Sequence, residues 1–142
     1  MASVKKMVLN WQGNYRFRAK NEKGLSVDFD APIPNGGEET ALSPTENVLA
    51  SLAACSSYDV VLILRKKRQD FSDYSVEMTA ERRDEPPRMF TSIHLKYIIK
   101  GKNISEEAVQ RAISLSEEKY CSVGAMLKNA VKITSSCEVL KE

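Results

Sequence analysis

Apolar and polar residues alternate through the first 30 positions: Met7, Leu9 and Trp11, then Tyr15, Phe17 and Ala19, then Leu25, Val27 and Phe29. A period of two predicts strands with one buried face, and Gly13 and Gly24 mark the turns of a small meander. Residues 31–42 hold Pro32, Pro34, Gly36 and Gly37 without periodicity, which predicts a surface loop. The pattern changes at Ser43-Pro44-Thr45-Glu46. A serine N-cap, a proline at the first helical position and a glutamate placed for a capping box predict a helix running to about Arg68. From Val48 to Leu64 its apolar side chains project over most of the circumference, the pattern of a helix covered on both sides. One small sheet covers one side, so the other needs a second helix or a second subunit. Arg65-Lys66-Lys67-Arg68 ends the helix where cations complement its dipole.

Phe71 to Arg83 alternates with Tyr74, Val76, Met78 and Ala80 on one face, and Met89 to Lys100 with Met89, Thr91, Ile93, Leu95, Tyr97 and Ile99. The two segments predict a long antiparallel hairpin across Asp84 to Arg88. Ser105, with Glu106 and Glu107 behind it, caps a second helix whose stripe is Val109, Ala112, Ile113, Tyr120, Val123 and Leu127. Ile133, Ser135, Cys137 and Val139 alternate as a closing strand. The expected order is βββαββαβ, an α+β chain with an antiparallel sheet packed on two long helices.

Composition narrows the function classes. The 142 residues fit one domain spanning 1–142, and 42% apolar with 28% charged residues is a globular balance. Twenty-one basic against nineteen acidic residues give no field that selects a nucleic acid or an anionic membrane. The N-terminal MASVKKMVLN holds no apolar run of secretory length, which sets a cytoplasmic expectation. Three cysteines without a C-x-x-C pair, beside one histidine, fit neither a disulfide scaffold nor a zinc site. Cysteine chemistry is then redox or packing.

Cys55 stands mid-helix, with Ser51, Tyr58 and Asp59 on its side and Leu52 and Leu62 flanking it. A thiol between an apolar wall and a polar rim is tunable, although most buried cysteines only pack. Cys121 misfits its helix: at about 100° per residue it points roughly 120° from the centre of the stripe, among Glu117 and Lys128. Either it is exposed, or the helix breaks near Tyr120 and Cys121 opens a new one whose dipole favours thiolate. Cys137 reads as core, and His94, on the polar face of its strand, as a solvated sheet residue.

The run from Ser43 to Cys55, followed by Lys119-Tyr120-Cys121-Ser122-Val123, resembles the OsmC/Ohr family of osmotically induced and organic-hydroperoxide-resistance proteins. The likeness covers nearly the whole chain. Cys55-Ser56-Ser57-Tyr58-Asp59-Val60-Val61 and Glu81-Arg82-Arg83-Asp84-Glu85-Pro86-Pro87-Arg88 are more similar to its OsmC-like branch than to its best-studied peroxidases.

The resemblance implies an intertwined homodimer with reactive sites at the subunit interface. Cys55 matches the peroxidatic and Cys121 the resolving cysteine of a thiol peroxidase acting on organic hydroperoxides, reduced by an external dithiol or lipoyl-type reductant without metal or organic cofactor. The family's peroxidases pair the reactive thiol with an arginine from an early strand, held by a glutamate just after the helix proline. Arg16 and Arg18 both stand in that strand, and the match does not choose between them. Here Thr45 follows the proline and Glu46 comes next; on a continuous helix Glu46 points away from Cys55, which favours capping. The competing readings are a non-catalytic dimer holding a small hydrophobic ligand and a dimer using its disulfide as a redox switch.

Overall fold

The computed structural model describes residues 3–142; Met1 and Ala2, the start of the N-terminal stretch read above, lie outside the described residues. The chain packs as two units, Met1–Val48 and Leu49–Glu142.

In the first unit, β1 (Met7–Trp11), β2 (Phe17–Asn21) and β3 (Ser26–Phe29) form an antiparallel meander with Trp11 opposite Phe17 and Phe17 opposite Phe29. Tyr15 falls in the first turn rather than in β2. The loop that follows is tightly built around Asp30, which is 2% exposed. Its carboxylate accepts the Thr40 hydroxyl at 2.6 Å and the backbone N–H groups of Ala31, Thr40 and Glu38 at 2.7, 3.0 and 3.4 Å. Gly37 is required by the same turn, because a Cβ there would stand 1.9 Å from the Ala31 carbonyl oxygen.

Helix α1 (Pro44–Lys66) starts with the expected capping box: Ser43 Oγ accepts the Glu46 N–H at 3.3 Å, and Glu46 Oε1 accepts the Ser43 N–H at 3.0 Å. By length and composition alone it is apolar enough to cross a bilayer. In the second unit, however, Leu52, Ala53, Ser56, Val60 and Leu64 form a buried row at helical spacing, while Tyr58 and Leu62 remain 79% and 52% exposed. One side of the helix is therefore covered by its own chain, and the apolar residues of the other side are open.

β4 (Asp73–Arg82) and β5 (Phe90–Lys100) form the antiparallel hairpin, with Met89 just outside it, and bury Ile93, Leu95, Tyr97 and Ile99 of β5. Two features differ from the expectation. β6 (Lys132–Leu140) runs parallel to β5, from Ser92 opposite Lys132 to Lys100 opposite Leu140, so this sheet is mixed. The intervening helices return the chain to the starting end of β5, as a parallel crossover requires. The second helix is also not one long element: α2 (Glu106–Leu115) ends in a π-helical turn over Ser116–Tyr120, and α3 (Ser122–Leu127) follows. The extra residue in the turn takes Tyr120 off the stripe, where it is 57% exposed, while Val109, Ala112 and Ile113 stay in the core.

Leu64 has no exposed surface, so Leu64→Ala is expected to lose about 2–5 kcal/mol in urea unfolding. The Thr40 hydroxyl, followed by the Thr40, Ala31 and Glu38 N–H groups, holds the Asp30 carboxyl at about 2, below its ordinary 3.8. A depressed carboxyl stabilises the fold above its unfolded value and loses that contribution as pH falls through the folded one. The urea midpoint is therefore expected to fall between about pH 4 and about pH 2 more steeply in the native protein than in Asp30→Asn; equal slopes contradict the loop's dependence on this anion.

Candidate active site

Two elements of the second unit carry the thiols. On α1, Leu52 and Ser56 point inward one turn apart and leave Cys55, beside Ser56, half-buried at the edge of the packed row. The other thiol depends on the π-helical turn. The Cys121 N–H donates to the Ser116 carbonyl at 2.8 Å, five residues back, and Cys121 itself is extended at φ −73°, ψ 103°. It serves as N-cap of α3, its Sγ accepting the Gly124 N–H at 3.3 Å. The helix thus breaks at Tyr120 and Cys121 opens a new one; it is 6% exposed and faces the core.

A buried polar cluster fixes the turn to α1. Ser116 has no exposed surface, and its hydroxyl donates to Asp59 Oδ2 at 2.8 Å. Ser116 Oγ also lies 3.3 Å from Ser56 Oγ, which is hydrogen-bonded to the Tyr97 hydroxyl. Nearby, the Tyr74 hydroxyl donates to Ser57 Oγ at 2.8 Å, and burial pushes this phenol up to about 12. Burial raises the Tyr97 phenol as well, so both remain neutral at ordinary pH.

The thiols of Cys55 and Cys121, far apart in sequence, are brought near enough for the Cys55 sulfur to act on the Cys121 thiol. Burial pushes the Cys121 thiol up to about 11, with the Cys55 sulfur and the Asp59 charge adding to the rise and the Gly124 N–H opposing it. This corrects the expectation that a new helix start would favour thiolate: one N–H of a six-residue helix is outweighed by loss of water. Cys121 also lines a cavity of about 130 Å³ whose wall is Leu52, Leu95, Ile133, Gly124 and the Ser56–Tyr97 pair, with Glu117 and Lys128 completing it. Both charged residues are exposed. Cys55 does not line this cavity.

The remaining expected site residues belong to the first unit. Arg18 pairs with Asp28 through two bonds of 2.7 and 3.1 Å, and Arg16 donates to the Gln12 carbonyl at 3.2 Å and approaches Glu38 at 3.4 Å. Glu46 is engaged in the capping box, and its bonds from Ser43 lower its carboxyl. Cys137 is half-buried in β6, and both ring nitrogens of His94 meet hydroxyls, Thr134 at 2.7 Å and Ser136 at 2.9 Å. Among the described residues no group of three His, Cys, Asp or Glu side chains is placed to hold a metal ion. Sequence reasoning missed Ser116, Ser56 and Tyr97 as site residues. The available signal was polarity at core spacing: Ser56 lies between Leu52 and Val60, and Ser116 continues the row of Val109, Ala112 and Ile113.

A family model described as OsmC-like protein matches residues 36–136. Protein YhfA of Escherichia coli (strain K12) is 45% identical over 132 residues, which is 93% of this chain and 96% of that protein. The crystal structure of a hypothetical protein from Aquifex aeolicus VF5 matches with a TM-score of 0.86 at 35% identity, over 99% of each chain. An organic hydroperoxide resistance protein OsmC from Legionella pneumophila shares the fold with a TM-score of 0.71 at 17% identity, over 97% of this chain and 98% of that one. Joined to the matching order of elements and the paired thiols, these likenesses establish that the chain belongs to the OsmC-like family.

Proposed function

We propose that the protein is a cytoplasmic thiol peroxidase that reduces organic hydroperoxides through Cys55 and Cys121, acts as a homodimer and needs neither metal nor organic cofactor. The observation that carries this reading is the approach of two thiols from separate elements at the side of a small, largely apolar cavity. The half-exposed Cys55 is the attacking sulfur and the buried Cys121 the resolving one. The Cys55 thiolate takes the distal oxygen of the hydroperoxide, breaking the O–O bond and releasing an alcohol. Cys121 then condenses with the sulfenic acid, losing water, and an external dithiol or lipoyl-type reductant returns two electrons to the disulfide. Within the dimer, Arg16 or Arg18 supplies the cation that favours the thiolate, and Glu46 orients that arginine across the subunits as well as capping α1. The homodimer covers the open side of α1, where Tyr58 and Leu62 would otherwise leave apolar surface in water. A second reading, a dimer that stores a small hydrophobic ligand, draws on the same cavity.

With cumene hydroperoxide and a dithiol, Cys55→Ser is expected to abolish turnover; without the dithiol, Cys121→Ser is expected to take up one equivalent of peroxide as the Cys55 sulfenic acid and a second, under excess oxidant, as the sulfinic acid. No turnover by the freshly reduced native protein, with wild-type ligand retention by Cys55→Ser, favours ligand storage. Peptide-resolved iodoacetamide labelling is expected to give Cys121 a midpoint near 11, above its ordinary 9.0. Its thiol is raised, so its contribution to stability is complete below the unfolded value and is lost as pH climbs through the folded one. Leu62→Arg is expected to convert the dimer to monomer in sedimentation equilibrium.

A further inference from the structure

We infer that the external reductant enters the 130 Å³ cavity in front of Cys121 and attacks that sulfur, releasing Cys55. This rests on the peroxidase reading and assigns the direction of its last step, which the two-thiol arrangement alone leaves open.

Three observations select Cys121. First, the cavity reaches one thiol only: its wall includes Cys121 and not Cys55, since Leu52 and Ser56 turn into it while the residue beside Ser56 points about 100° away along α1. Second, space in front of the sulfur is kept by Gly124, where a Cβ would stand 3.3 Å from Cys121 Sγ and 3.6 Å from Leu52 Cδ1. Third, a disulfide is attacked more readily at the sulfur whose partner leaves more easily. Attack at Cys55 would expel Cys121 as an anion into surroundings that hold its thiol protonated up to about 11. Attack at Cys121 expels Cys55, which is half-exposed and can be solvated by water.

The step balances as an exchange. A reductant thiolate forms a bond to Cys121 Sγ, the Cys55–Cys121 bond breaks, and the electron pair leaves on Cys55. The second thiol of the same reductant then closes a ring onto the mixed disulfide, and its proton passes to Cys121 as that sulfur departs, which removes the need for a free Cys121 anion. The reductant is oxidised to its cyclic disulfide and both cysteines are reduced. The small cavity with its largely apolar wall suits a slender aliphatic arm bearing thiols better than the folded loop of a redox protein.

The test starts from full-length protein oxidised with diamide, which forms the disulfide without any peroxide. A brief pulse of 2-mercaptoethanol, an acid quench, N-ethylmaleimide blocking and peptide mapping then locate the adduct. The expected result is 2-mercaptoethanol on Cys121 and maleimide on Cys55. In Gly124→Ala the adduct is expected to form roughly tenfold or more slowly, since an ångström-scale obstruction at the reacting atom has that order of effect. An adduct on Cys55 overturns the inference and leaves the peroxidase reading standing, as does an unchanged adduct rate in Gly124→Ala. Failure of diamide to join Cys55 to Cys121 overturns both.

Discussion

The bond from the Ser116 hydroxyl to the Asp59 carboxylate is the contact on which the arrangement of the second unit depends. It joins the first residue of the π-helical turn to the middle of α1, in a place where Ser116 has no access to water. A hydrogen bond to a charged acceptor in such surroundings is stronger than a neutral one and costly to leave unmade. It also fixes the turn whose carbonyl receives the Cys121 N–H, and through that bond the position of the second sulfur. Ser56 and Tyr97 extend the cluster to β5, so that one helix, one turn and one strand are held by a polar cluster inside an apolar core. Among the described residues, no buried side-chain nitrogen or oxygen is left without a partner.

The same packing sets the chemistry of the thiols apart. Cys121 caps a short helix and receives one backbone N–H, yet burial, the neighbouring sulfur and the Asp59 charge all favour its protonated form. Cys55, one turn along α1 from Leu52 and half-buried, keeps access to water. On the proposed peroxidase reading such a pair has a direction, with one sulfur meeting the oxidant and the other holding its proton until it is needed. Desolvation is the largest cause of the raised Cys121 thiol, and the Asp59 charge adds to it.

Both units carry exposed apolar surface. Met7, Val8, Leu9 and Trp11 of β1 are each more than half exposed, and Tyr58 and Leu62 stand open on α1. This is the apolar surface that the proposed dimer would take out of water.

Much of this was legible in the residues themselves. Alternation placed every strand, Ser43-Pro44-Thr45-Glu46 announced the start of α1 with its reciprocal bonds, and the all-round apolarity of Val48 to Leu64 marked a helix with two sides to cover. Cys121 did not fit a continuous wheel, which left exposure or a break near Tyr120 open, and the structure has the break. Local pattern could reach no further, since periodicity records which side of an element is buried and not what lies opposite. The parallel pairing of β6, the π-helical turn, the meeting of Ser116 with Asp59 and the raised Cys121 thiol all come from contacts between residues distant in the chain. Desolvation in particular has no sequence signature: it is a property of the space around an atom, and only the tertiary structure encloses that space.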